Sequence, residues 1–191
     1  EFRVNAYTTF SQYRPAVAAS SSGDFVVVWM SGGSAFGDAS SYSIQGRRFA
    51  SDGSALGGEF QVNAYTTNKQ FHPAVAVDGE GSFIVVWAST GSAGSDTSGD
   101  SIHLQRYASD GTSIGAELAV NTYTSANQHF PRVATGLAGN FVVEWSSAGQ
   151  AGPGSGYDIY AQRFTSCPMT DSSAPFVFPP GASTMTQSLC Q

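Results

Sequence analysis

Three tryptophans and three arginines recur at matching places in this chain, and their types and spacing could do chemistry. Trp29, Trp87 and Trp145 each close a run of β-branched and aromatic residues, and Arg48, Arg106 and Arg163 follow in a later run. Repeated indole rings can stack on sugar rings, and guanidinium groups hold polar ligands, so the set would present several equivalent glycan-binding places. A packing role competes with this. Each Trp shares a face with a phenylalanine such as Phe25, which places it between sheets. Each Arg shares a face with Ile44, Ile102 or Ile159 and needs a carboxylate or loop carbonyls as partner.

Catalysis finds little support. Glu144 stands where the equivalent runs have Val28 and Val86, with no second carboxylate at a matching place. A carboxylate there must be paired or exposed, so the third run is expected to face solvent or a joint. Gly111-Thr112-Ser113-Ile114-Gly115 has the spacing of a nucleophile elbow, but an elbow needs a strand before it and a helix after it. Its counterpart carries Ala55 at the serine's place, so a hairpin turn is expected. His72, His103 and His129 have no metal spacing, and Asp78, Glu80, Asp96 and Asp100 lack the alternating ladder of a calcium loop. Neither an enzyme nor a cofactor is expected. There is no Asn-x-Ser/Thr sequon, and the Ser/Thr-rich loops 31–43 and 89–101 are candidates for O-glycans.

These residues recur because the chain repeats. Glu1-Phe2-Arg3-Val4-Asn5, Glu59-Phe60-Gln61-Val62-Asn63 and Glu117-Leu118-Ala119-Val120-Asn121 open three copies, and Pro15, Pro73 and Pro131 follow in register. Such self-similarity marks a propeller, solenoid or array, whose units cannot bury their own faces alone. In the middle copy, Pro73 to Val77 is a short strand opened by proline, and Asp78 to Gly81 is turn chemistry. Ser82 to Trp87 is apolar on both faces, as a central strand is. Ile102 to Tyr107 alternates, and Glu117 to Asn121 supplies a fourth strand. Four antiparallel strands in a unit of about 40–60 residues is a propeller blade, with the first strand innermost. The predicted fold is all-β: three propeller-like blades, open rather than ring-closed within one chain. The units are repeat 1 (1–58), repeat 2 (59–116), an incomplete repeat 3 (117–166) and a C-terminal tail (167–191).

The repeat is out of phase with the blade. Phe2, Arg3, Val4 and Asn5 form an outermost strand with no blade before it, and the third blade ends without its own. Rings need about four to eight blades, so three do not close. One solution is that the tail, through Ala174 to Phe178, fills the gap. Alternatively, two chains form a six-bladed ring, or the first strand of one chain completes the last blade of the next. The acceptor edge is then Ile159, Tyr160, Ala161, Gln162, Arg163 and Phe164, and an open edge of this kind invites strand addition.

Composition narrows the class. Hydrophobic residues make up 41% and charged residues 12%, with a net charge of −6. Nucleic acid and anionic membrane, which need a basic face, are not expected as partners. No apolar run approaches the roughly 18 residues of a membrane span. Abundant hydroxyls and low charge point to an extracellular or cell-surface protein, read as a processed or excerpted product. Cys167 and Cys190 are then expected to form a disulfide tying the tail to the last repeat, worth about 3 kcal/mol.

Glu59 to Gly115, and Gly156-Tyr157-Asp158-Ile159-Tyr160-Ala161-Gln162-Arg163-Phe164, resemble a tandem repeat of large secreted bacterial surface proteins. The resemblance covers residues 1 to 166 and implies an extracellular propeller-like array, often in adhesion, with no enzymatic motif. The expected function is structural: self-association with copies of itself, head to tail, into a filament or tubular surface fibre. The alternatives are a carbohydrate-binding propeller lectin, six-bladed as a dimer, and an excerpt of a larger adhesin.

Overall fold

The computed structural model describes residues 1–34, 36–38, 41–92, 96, 98–136, 139–152, 154–165 and 186–188. Cys167, Cys190 and the segment 174–178 lie outside the described residues. The chain builds three open four-stranded sheets. Sheet 1 runs β1 (Gln12–Ala19), β2 (Phe25–Ser31), β3 (Ser43–Phe49), β4 (Phe60–Gln61). Sheet 2 runs β5 (Gln70–Val77), β6 (Phe83–Thr90), β7 (Asp100–Tyr107), β8 (Ser113–Ala119). Sheet 3 runs β9 (Gln128–Thr135), β10 (Phe141–Ala148), β11 (Tyr157–Thr165), β12 (Thr186–Ser188). All neighbours are antiparallel except β12, which lies parallel to β11.

Local chemistry explains the strands. β2 and β6 are rich in Val, Ile and Phe, whose branched or ring side chains suit a pleated surface. The turn between β5 and β6 is closed by Asp78, whose carboxylate accepts from the Glu80 and Ser82 amides, and by Gly81 at a φ of 88°. The inner strands begin at Gln12, Gln70 and Gln128, three residues before the prolines at which the sequence predicts their start. A bulge absorbs the extra residues, and Arg14, His72 and Phe130, each just before its proline, take φ values of 49°, 55° and 54°. That left-handed backbone puts three unlike side chains at one repeated place.

The core lies between sheets. Val26, Val28 and Ile44 of sheet 1 pack on Phe83, Val85, Trp87 and Tyr107 of sheet 2. Ile84, Val86, Ile102 and Leu104 of sheet 2 pack on Phe141, Val143, Trp145 and Phe164 of sheet 3. Sheet 2 thus shows one face to sheet 1 and the other to sheet 3. The innermost strands β1, β5 and β9 lie side by side. The third sheet has a fourth strand, drawn from the tail, which is one of the solutions left open for that blade. The tail supplies β12, which pairs only with Arg163, Phe164 and Thr165 at the far end of β11.

Candidate assembly edges

Phe2 to Asn5 make no ladder, yet they occupy a defined place. The Phe2 ring lies 5.4 Å from that of Phe49, as Phe60 lies 5.3 Å from Tyr107 one repeat later. Val4 packs on Val27, Trp29 and Phe49, as Val62 packs in the next interface. Arg47 Nη1 donates to the Val4 carbonyl at 2.9 Å. The first five residues therefore lie against sheet 1 as β4 lies against sheet 2, with nothing on their other edge among the described residues.

The internal copies show the bonds that a segment of this type makes to the strand it lies beside. Val62 N–H donates to the Ile44 carbonyl at 2.8 Å, and Asn63 Oδ1 accepts from Ile44 N–H at 2.8 Å. Val120 and Asn121 do the same to Ile102, both at 2.7 Å. The Asn63 and Asn121 amides also donate to Gln70 Oε1 and Gln128 Oε1, at 3.2 and 3.1 Å. Asn5 keeps only the local bond to Tyr7 O at 2.9 Å, and the buried Oε1 of Gln12, the counterpart of Gln70, has no partner. A buried unpaired carbonyl oxygen carries a desolvation penalty of about 1–3 kcal/mol.

The opposite end of the molecule mirrors this. Ile159 is 71% exposed, whereas Ile44 and Ile102 are at 0%. β12 covers Arg163 and Phe164, so the open part of the expected acceptor edge is Ile159, Tyr160, Ala161 and Gln162. Gln162 Nε2 is buried without a partner, while its counterpart on Gln105 donates to the carbonyls of Arg106, Ile114 and Gly115. Glu59 accepts from the Ala6 and Tyr7 amides, and Glu117 from those of Ala64 and Tyr65. The matching Thr122 and Tyr123 amides of the third copy have no such carboxylate among the described residues. β10 alternates buried and exposed side chains along Phe141–Ala148, where β6 is buried on both faces. Glu144 is on the open face, directly across the ladder from Arg132, where the earlier copies pair Val28 with Ala16 and Val86 with Ala74.

The other sequence candidates are placed as follows. Trp87 is at 0% exposure, and Trp29 and Trp145 are buried as well, so no indole face is open to a sugar. Arg48 donates to the carbonyls of Ser109 (2.6 Å) and Asp110 in the neighbouring sheet's turn. Arg106 is half-buried and Arg163 exposed. The GxSxG segment leads from a turn, closed by the Ala108 N–H to Thr112 O bond, into β8.

Two constellations escaped sequence reasoning. Ser101 Oγ lies 2.9 Å from His103 Nε2, and His103 Nδ1 lies 2.7 Å from Glu117 Oε1. This is the order of a Ser-His-acid relay, but Ser101 is at 0% exposure, so its hydroxyl meets no substrate. In the first copy Gln45 Nε2 donates to Ser43 Oγ at 2.9 Å from the same place, which marks a structural bond. The i, i+2 spacing on a strand was the available signal.

The second constellation is a cavity of about 410 Å³ at the inner strands, lined by Arg14, His72, Phe130 and Arg132 among others. His72 stacks on Phe130 at 4.5 Å. Burial, then Arg14, His129 and Arg132, pull the His72 pKa down to about 4. His129 bonds Asp100 at 2.5 Å. The signal here was the residue preceding each proline.

No protein-family model matches the chain, and the comparison with curated proteins found no match. Among solved structures it is similar to the endo-arabinase of Bacteroides thetaiotaomicron VPI-5482, at 12% identity with a TM-score of 0.51. The match covers 83% of this chain and 58% of the arabinase chain. At that identity the likeness concerns the fold alone, a β-rich arrangement of repeated sheets.

Proposed function

We propose that the protein is an extracellular structural subunit whose three sheets act as propeller-like blades. It polymerises head to tail, by strand complementation, into a filament or tubular surface fibre. Phe2 to Asn5 are the donor, and the open stretch of β11 is the acceptor. The observation that carries this reading is the contrast at one repeated isoleucine, exposed at Ile159 and fully buried at Ile44 and Ile102. The two buried positions are covered by a strand of the Glu-Phe-x-Val-Asn type, and the only unpaired strand of that type among the described residues opens the chain. A joint of four or five ladder bonds, at about 0.5–1.5 kcal/mol net each, with burial of Phe2 and Val4, would be strong.

Electron microscopy and light-scattering mass on the full chain test it. Long uniform fibres are expected, and deletion of residues 1–6 should leave monomers with an unchanged β-sheet circular dichroism spectrum. Fibres that survive the deletion overturn the mechanism. A closed dimer overturns the filament in favour of a six-bladed ring, and a monomer that binds glycans restores the lectin reading.

A further inference from the structure

We infer the register and the side-chain clamp of the joint, an inference that rests on the proposed self-association and deepens it. Strand β4 pairs with β3 as Gln61 opposite Gln45 and Phe60 opposite Gly46, and β8 pairs with β7 as Ala119 opposite His103 and Leu118 opposite Leu104. Both internal joints thus share one register. Carried to the chain ends, it sets Arg3 opposite Tyr160 and Phe2 opposite Ala161 of a neighbouring copy.

The same transfer supplies partners for groups that now lack them. Val4 N–H donates to the Ile159 carbonyl of the neighbouring copy, and Asn5 Oδ1 accepts from its Ile159 N–H, as Val62 and Asn63 do for Ile44. The Glu1 carboxylate accepts from the neighbouring Thr122 and Tyr123 amides, as Glu59 does for Ala6 and Tyr7. With Asn5 held, its amide turns to the buried Gln12 Oε1 of its own chain, the bond that Asn63 makes to Gln70. Asn5 is therefore the clamp that couples the joint to the interior of sheet 1.

One element of the template is absent. Asn63 and Asn121 also donate to Asp38 and Asp96, and the third copy has no Asp between Trp145 and Asp158. The joint is thus one hydrogen bond short of an internal interface and weaker than one, as a reversible contact between chains is.

An equal mixture of R3C chains and Y160C chains, oxidised after assembly, reads the register. Any bond between the introduced thiols is then between copies, and peptide mass mapping separates it from bonds to Cys167 and Cys190. Cross-linking of Arg3→Cys to Tyr160→Cys is expected, while Glu1→Cys with Tyr160→Cys, a two-residue slip, should stay reduced. Fibres that cross-link through the slipped pair overturn the register and leave self-association standing. Absence of any assembly overturns both. Asn5→Ala should raise the critical concentration at least tenfold and leave the monomer's melting temperature unchanged. If it lowers the melting temperature without changing assembly, Asn5 is not the clamp.

Discussion

At the scale of single residues, the repeats act as internal controls on each other. Asn63 and Asn121 show the same side-chain bonds, so their function is legible from two copies at once. His103 is the informative exception, because it stands where Gln45 stands and bonds the serine two residues before it as Gln45 does. His103→Gln should therefore fold with stability close to the parent chain. His103→Ala removes the partner of Glu117 Oε1 and one of the two partners of Ser101 Oγ, and should cost about 1–3 kcal/mol, read by urea unfolding. If both substitutions cost the same, the histidine is needed for its own chemistry.

At the scale of elements, the outer strand is held by one close approach. A Cβ built on Gly46 would lie 2.6 Å from Cζ of Phe60. That ring is confined by Phe83 at 6.3 Å and Tyr107 at 5.3 Å, so it has little room to retreat. Alanine normally stabilises a strand relative to glycine. Here Gly46→Ala should instead destabilise the protein by about 1–3 kcal/mol through overpacking, seen as a lower urea midpoint. An unchanged or higher midpoint would show that the ring moves freely. The second sheet solves the same crossing with Leu104 opposite Leu118.

At the scale of the whole molecule, sheet 2 has a neighbour on both faces, while among the described residues sheets 1 and 3 each have one on a single face. Sheet 1 uses the opening residues to cover Trp29 and Val27. Sheet 3 leaves Val142, Glu144 and Ile159 exposed. The Arg132–Glu144 pair replaces an Ala–Val pair that is apolar in both earlier copies, and such a pair keeps an exposed face soluble. If that face enters the joint, burying two charged groups costs more than burying an apolar pair of similar shape. The double variant Arg132→Ala with Glu144→Val should therefore assemble at a lower concentration than the parent chain, by light scattering. Glu144→Val alone should gain less, because it leaves the Arg132 charge on that face. No change in either variant would place the pair outside the joint.

The sequence by itself determined the period, the β-rich runs and the order of strands in sheets 1 and 2, although the inner strands start three residues before their prolines and β8 begins at Ser113 rather than Glu117. Those features are local: β-branched runs such as Phe83 to Trp87 choose extended backbone, and Asp-Gly turns such as Asp78 to Gly81 reverse it. It also showed that the repeat is out of phase with the four-stranded sheet, because a displaced repeat is visible without coordinates. Only the tertiary structure decided what each face meets. Ile44 and Ile159 are the same residue in the same kind of strand, and their burial differs because Ile44 is covered by Val62 and sheet 2 while Ile159 has neither kind of cover among the described residues. The parallel β12, the Ser101–His103–Glu117 chain and the convergence of Arg14, His72 and Phe130 on one cavity are likewise non-local. They depend on which strands the fold brings side by side, which no single stretch of sequence encodes.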